Sequence, residues 1–320
     1  MRIGKLTNDE LNELILSKFK KCRDEVVLSP RIGVDCAAVD MGGRLAVLLT
    51  DPITSASEHL GRLTVHVNCN DAAAAGAEPI GLLVTLLVPP SASAEDIARV
   101  ADELSAAALE ANVEIIGGHT EETASVNRMI TCATVIARPG ENGLVLPSGM
   151  KAGDDVVLTK WAGLEGTAVI ASDYAHRLSG MSEAELTQAR NFIRLISVVK
   201  EGLYAANHGA AAMHDVTEGG VLGAACEMAE ASGCGLTIDE ASIPVHPLTR
   251  KICQKLGLDP LRLLSSGAML IACRDGEALV RGLGEIGVHA AVIGKAGGAG
   301  IRLLDGTQIT APGADELYKL

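Results

Sequence analysis

Residues 66–79 read His66-Val67-Asn68-Cys69-Asn70-Asp71-Ala72-Ala73-Ala74-Ala75-Gly76-Ala77-Glu78-Pro79, and the apolar run 80–88 follows at once, closed by Pro89-Pro90. The composition of residues 62–77 predicts a helix whose many small side chains let it pack closely against a sheet. Residues 80–88 have the length of a buried strand, and the prolines stop it. A second apolar strand, 45–50, lies upstream and ends at Asp51. Strands and helices mix from the start, so the class is α/β or α+β.

Outward from this stretch, residues 1–20 predict an amphipathic helix. Thr7 and Glu10 form a capping-box pattern, and Leu11, Leu14, Ile15 and Phe19 form an apolar stripe. Ser93 caps a further helix striped by Ile97, Val100, Ala101, Leu104 and Ala108. Short strands fit 37–39, 113–116 and 129–137. Residues 138–153, with Leu146-Pro147-Ser148-Gly149, punctuate the chain. Two domains are expected, 1–147 and 148–320. In the second, strands fit 155–159, 236–238, 268–273, 290–293 and 301–304. Helices fit 164–175, 182–207 (with Ser182 and Glu185 as capping pair), 220–231 and 247–256.

Composition narrows the partners. The 320 residues carry a formal net charge of −13 and only one Trp, three Tyr and two Phe. A phosphate backbone is repelled by such a chain, and bases find few rings on which to stack, so no nucleic-acid partner is expected. No apolar run approaches the roughly 20 residues of a membrane span, and the start has no signal-peptide core. Eight cysteines are scattered without a C-x-x-C pair, as expected of reduced thiols in the cytoplasm.

Three aspartates stand where chemistry could sit. Asp35 follows Gly33-Val34, Asp51 ends a strand, and Asp71 lies inside the Ala-rich helix. A carboxylate among apolar neighbours needs a partner, and magnesium takes oxygen ligands of this kind together with phosphates. The alternative for Asp51, before Pro52, is a turn cap. Glycine turns are expected at Gly117-Gly118-His119-Thr120, at Gly163–Gly166 and at Asp215-Val216-Thr217-Glu218-Gly219-Gly220. Each suits either an ordinary connection or phosphate held on backbone N–H groups. Neither a P-loop nor a G-x-G-x-x-G after a strand is present. Lys160 could neutralise phosphate or close its strand in solvent. His119 and His214 fit either catalysis or a structural role.

In order, these segments resemble the superfamily of aminoimidazole ribonucleotide (AIR) synthetase, thiamine-monophosphate kinase, selenophosphate synthetase and HypE. Residues 50–54 with 66–79, Gly117–Thr120 and Asp215–Gly220 carry the resemblance, which spans about residues 30–300 and is nearest the HypE branch. It implies an AIR-synthase-like fold in which the N-terminal sheets of two copies pair across a homodimer. It further implies ATP between the domains, touched by Gly117, Gly118, His119, Thr120, Lys160, Asp215, Gly219 and Gly220. Asp35, Asp51 and Asp71 would hold Mg²⁺. The implied activity is ATP-dependent phosphoryl transfer that activates an oxygen of a small or protein-bound substrate, with maturation proteins as partners. A thiamine-monophosphate-kinase-like kinase and a nucleotide-sensing assembly protein are the alternatives. The sequence departs from the family at Val34 and His119, where relatives carry Asp. HypE also presents a Cys near its C-terminus, whereas the last Cys here is Cys273.

Overall fold

The computed structural model describes residues 6, 8–34, 36–54, 58–311 and 313–320. Six described strands form the first sheet: β1 Val26–Leu28, β2 Ala37–Asp40, β3 Leu45–Ile53, β4 Ala77–Val88, β5 Glu114–Glu122 and β6 Ile130–Pro139. Their order is β1-β2-β3-β6-β4-β5, antiparallel except for β4 with β5. Helices α1 Asn8–Leu14, α2 Leu60–Ala74 and α3 Ala94–Ala111 accompany it. The second sheet holds β7 Asp155–Thr159, β8 Ala210–Val216, β9 Leu236–Ile238, β10 Ala268–Cys273, β11 Ala290–Ala296, β12 Ile301–Leu303 and β13 Gln308–Ile309. Around it lie α4 Leu164–Asp173, α5 Glu183–Arg190, α6 Val199–Asn207, α7 Gly220–Ser232, α8 Pro247–Leu256 and α9 Gly276–Glu285. The mixed α/β class read from the sequence is the one found.

Helix α2 organises the molecule because it is buried nearly all round, which its small residues permit. Val65, Cys69 and Ala72 pack with Val47, Leu82, Val84 and Val135 of the first sheet. On its other side Leu63 meets Leu164, Ile193 and Ile196, while Ala73 and Ala74 meet Ala205, Ala206 and Met213. One helix therefore belongs to two cores. It ends three residues earlier than expected, and β4 begins at Ala77, after a turn at Gly76.

Three expectations are corrected. Gly117–Thr120 is not a turn but the middle of β5, paired with β4 from Leu83↔Gly117 to Leu86↔Thr120. Close approach explains the glycine: a Cβ on Gly118 would stand 1.8 Å from the Val84 carbonyl oxygen. The helix expected over 182–207 keeps its Ser182–Glu185 capping box but breaks after α5 into a 3₁₀ turn, Asn191–Leu195, before α6. The break frees backbone groups at 195–198, which side chains from elsewhere then bind. The N-terminal helix is short, with Leu14, Ile15 and Phe19 exposed, and Thr7 lies outside the described residues. Among the described residues no helix is long and apolar enough to cross a membrane.

Candidate functional site

The polar residues of α2 are each given a different task. The Asn68 side-chain oxygen accepts the Asp51 N–H at 3.0 Å, fixing the end of β3 to the helix. Asn70 reaches the second domain: its amide donates to the Ile196 oxygen at 2.7 Å, and its oxygen accepts the Val198 N–H at 2.8 Å. His66 is buried beside Glu110, its Nε2 3.7 Å from the carboxylate. Burial first, then the Arg62 charge, pull its pKa down to about 4, so the ring is neutral at physiological pH. Burial, with a smaller push from Asp71, raises the Cys69 thiol to about 12. That thiol yields no useful thiolate.

Asp71, one turn beyond Asn68, lines a cleft. Cys36 and Ala75 from the first domain, Pro147 from the connection, and Met213, His214 and Asp215 at the end of β8 complete its wall. Two carboxylates, one from each domain, thus meet in one concavity. Asp35 lies outside the described residues, but its neighbours Val34 and Cys36 both line the cleft. Asp51 is half-buried on the helix-facing side of β3, held beside α2 by Asn68.

His214 is a wall residue for which the sequence left two roles open. Its Nδ1 is 2.7 Å from the Asp215 carbonyl oxygen and its Nε2 is 2.9 Å from a Glu227 carboxylate oxygen. Both contacting atoms are oxygens, so the ring is held between a main-chain carbonyl and a carboxylate. The arrangement places a buried imidazole between the cleft and α7.

The remaining expected residues divide. Lys160, at a left-handed φ of 54°, is not solvated. Its ammonium donates to the Leu195 and Ser197 oxygens at 2.9 and 2.5 Å and pairs with buried Glu201 at 2.7 Å. Burial lowers its pKa, opposed by Glu201. Gly219 and Gly220 begin α7, but the Gly219 N–H is taken by Asp315 at 2.8 Å and the Gly220 N–H by the Thr217 oxygen at 3.1 Å. His119 is exposed and pairs with Thr85, which in turn pairs with exposed Cys132, so this row faces away from α2. In the row Asp51–Ala133–Val84–Gly118, three strand spacings separate β3 from β5, about 14 Å.

Two family patterns match this architecture: the AIR synthase related protein N-terminal domain over residues 33–138 and its C-terminal domain over residues 151–304. A carbamoyl dehydratase HypE of Rhizobium leguminosarum bv. viciae is 31% identical over 303 residues, covering 89% of this chain and 82% of that protein. The chain belongs to the AIR synthase-related family. Among solved structures, this AIR synthase-related chain matches one from a HypE–HypF complex with a TM-score of 0.77, 23% identity and coverage of 95% and 99% of the two chains. It matches AaThiL complexed with AMPPCP and TMP with a TM-score of 0.78, 18% identity and coverage of 98% and 99%. At such identities the likeness establishes the fold, so the two-sheet architecture is shared by HypE and ThiL. The resemblance read from residues 50–79, 117–120 and 215–220 is borne out at family level.

Proposed function

We propose that this protein binds Mg-ATP in the cleft between its domains and uses it, as a HypE-like maturation protein, to activate an oxygen of a small or protein-bound substrate. The convergence of Asp71 and Asp215 on one cleft carries the reading. Among the described residues no group of three or more His, Cys, Asp or Glu could hold a metal unaided. Magnesium is commonly held by one or two carboxylates with substrate phosphates supplying further oxygens. Asp71 would be the central ligand, and Asp51 and Asp35 are the further ligands that the family resemblance implies. Bound magnesium would neutralise phosphate charge and polarise the transferred group.

The chain's own residues supply position. Asn68 fixes Asp51 relative to Asp71, and the pairing of His214 with Glu227 steadies the strand end that carries Asp215. Cys69 offers no nucleophile, so the acceptor oxygen belongs to the substrate. Maturation proteins are the expected partners, in keeping with a relative seen in a HypE–HypF complex. A kinase acting on a small phosphorylated acceptor is the second reading, favoured by the match to AaThiL.

Calorimetric titration with Mg-ATP, followed by phosphate-release assays on carbamoyl compounds, amides and thiamine monophosphate, tests these readings. Binding with turnover on a carbamoyl donor is the expected result. Turnover on thiamine monophosphate alone would favour the kinase, and binding without turnover the assembly role. No heat at millimolar Mg-ATP overturns the nucleotide reading.

A further inference from the structure

Residues 313–320 fold back over the start of α7. Asp315 is only 4% exposed. One of its carboxylate oxygens accepts the Gly219 N–H at 2.8 Å, and the other accepts the Leu317 N–H at 2.8 Å, opening the 3₁₀ turn Glu316–Lys319. Tyr318 donates its hydroxyl to Glu218 at 3.2 Å. Glu316, also buried, accepts the Asp259 N–H at 3.0 Å. Arg177 donates to the Leu320 oxygen at 2.9 Å, while Leu317 and Leu320 pack on the cluster around α4 and α8.

Glu218 and Gly219 lie three and four residues beyond Asp215, in the turn that leaves the cleft wall. The closing segment therefore grips that turn twice, once by its backbone and once by a side chain. A helix start is stabilised by an acceptor for its orphan N–H groups and by negative charge. Here both come from more than ninety residues away. The acceptor belongs to a segment that follows the last strand of the second sheet rather than to a neighbouring loop.

We propose that residues 313–320 are a positioning element for the cleft: docked, they hold the Asp215–Gly220 turn in the conformation that presents Asp215 to ligand, and undocked they release it. Asp315 is the positioning residue. The inference rests on the nucleotide reading of the cleft. Linkage makes the effect reciprocal, so ligand in the cleft tightens the closing segment as much as the segment tightens ligand.

The test compares the full chain, the full chain with Asp315→Ala, and a chain ending at Gly313, by calorimetry with Mg-ATP. Binding by the unaltered chain is required by the nucleotide reading, and its absence defeats that reading and this inference together. With binding present, Asp315→Ala should weaken it about tenfold, a typical coupling. Asp315→Asn, which keeps an acceptor for the Gly219 N–H, should lie nearer the unaltered chain. A peptide of residues 313–320 should restore affinity to the shortened chain; if the shortened chain does not fold, the Asp315 variants decide. In the unaltered chain, Mg-ATP should slow amide exchange in residues 315–320. A purely structural cap predicts otherwise: a lower melting temperature for Asp315→Ala with unchanged Mg-ATP affinity. That result, which leaves the nucleotide reading standing, overturns the proposal.

Discussion

The two glycine segments singled out in the sequence, Gly117–Thr120 and Asp215–Gly220, end in opposite circumstances. The second is enclosed: its two glycine N–H groups are matched, Asp315 caps its helix, and a Cβ on Gly220 would stand 2.5 Å from the Leu261 oxygen. The first lies on an edge strand whose residues are almost all exposed, beside the exposed side chains of Ile80, Leu83 and Ile116. A segment finished within one chain and another left open to solvent teach that the two halves of the implied site are not equally complete here. An edge strand flanked by apolar side chains invites pairing with another copy. A homodimer, proposed from the family resemblance, would place a second copy against β5.

The largest expected effect on ligand binding concerns the enclosed half. Asp71→Asn and Asp215→Asn should each remove the magnesium-dependent part of ATP stabilisation, which for ligand at 100 times its Kd amounts to about 2.7 kcal/mol. Melting curves with Mg-ATP and with ATP plus chelator measure it, and a variant that keeps the full difference is not a metal or phosphate contact. For the open half, sedimentation should give a dimer, and Leu83→Asp should convert it to the 33.0 kDa monomer. A parent that sediments as monomer at micromolar concentration removes the dimer from the account.

Gly220→Ala should cost on the order of 3–5 kcal/mol, because it combines a left-handed φ of 63° with a backbone clash. Denaturant unfolding reads this directly, and a loss under 1 kcal/mol would mean that the turn relaxes cheaply.

A pH effect of similar kind should appear beside that turn. Glu165 is buried at the start of α4, and burial, then the Asp315 and Glu218 carboxylates, push its pKa up from 4.5 to about 7 against a lowering hydrogen bond from Ser266. The folded state therefore holds the proton where the unfolded chain has lost it. This stabilising contribution is fully present below about pH 4.5 and disappears as pH rises through 7, a difference on the order of 3 kcal/mol. Glu165→Gln should flatten stability across that window, and an unchanged pH profile would assign the slope to other groups. The smallest effect belongs to the open half: His119→Ala should move stability by no more than about 0.5 kcal/mol. A larger loss would show that His119 is held by contacts beyond its own chain.

These regions also differ in how plainly the sequence announced them. Helices with a polar cap and a periodic stripe were legible, as Ser93 and Ser182 show, because caps and stripes are local signals. Asp71 was legible as a carboxylate in an apolar helix. The glycine pair in β5 was misread because adjacent glycines signal a turn, whereas here the need is room beside Val84, a fact of the neighbouring strand. The break between α5 and α6 could not be read locally, since Asn70 and Lys160 from distant segments bind the freed backbone. Lys160 itself gave no sign of burial, its partner Glu201 being forty-one residues on. Asp315 was missed for the same reason, since a cap supplied from so far along the chain leaves no pattern at the helix it serves.

The Asn70 contacts have a consequence for how the two domains can diverge. Both bonds go to main-chain groups, the Ile196 carbonyl and the Val198 amide, so they ask nothing of the side chains at those positions. What constrains Ile196 and Val198 is their burial in the cores, not these bonds, whereas Asn70 has little latitude. An aspartate there could not donate to the Ile196 oxygen, and an alanine would strand both groups away from water. This part of the junction is thus specified by one side chain reading another segment's backbone.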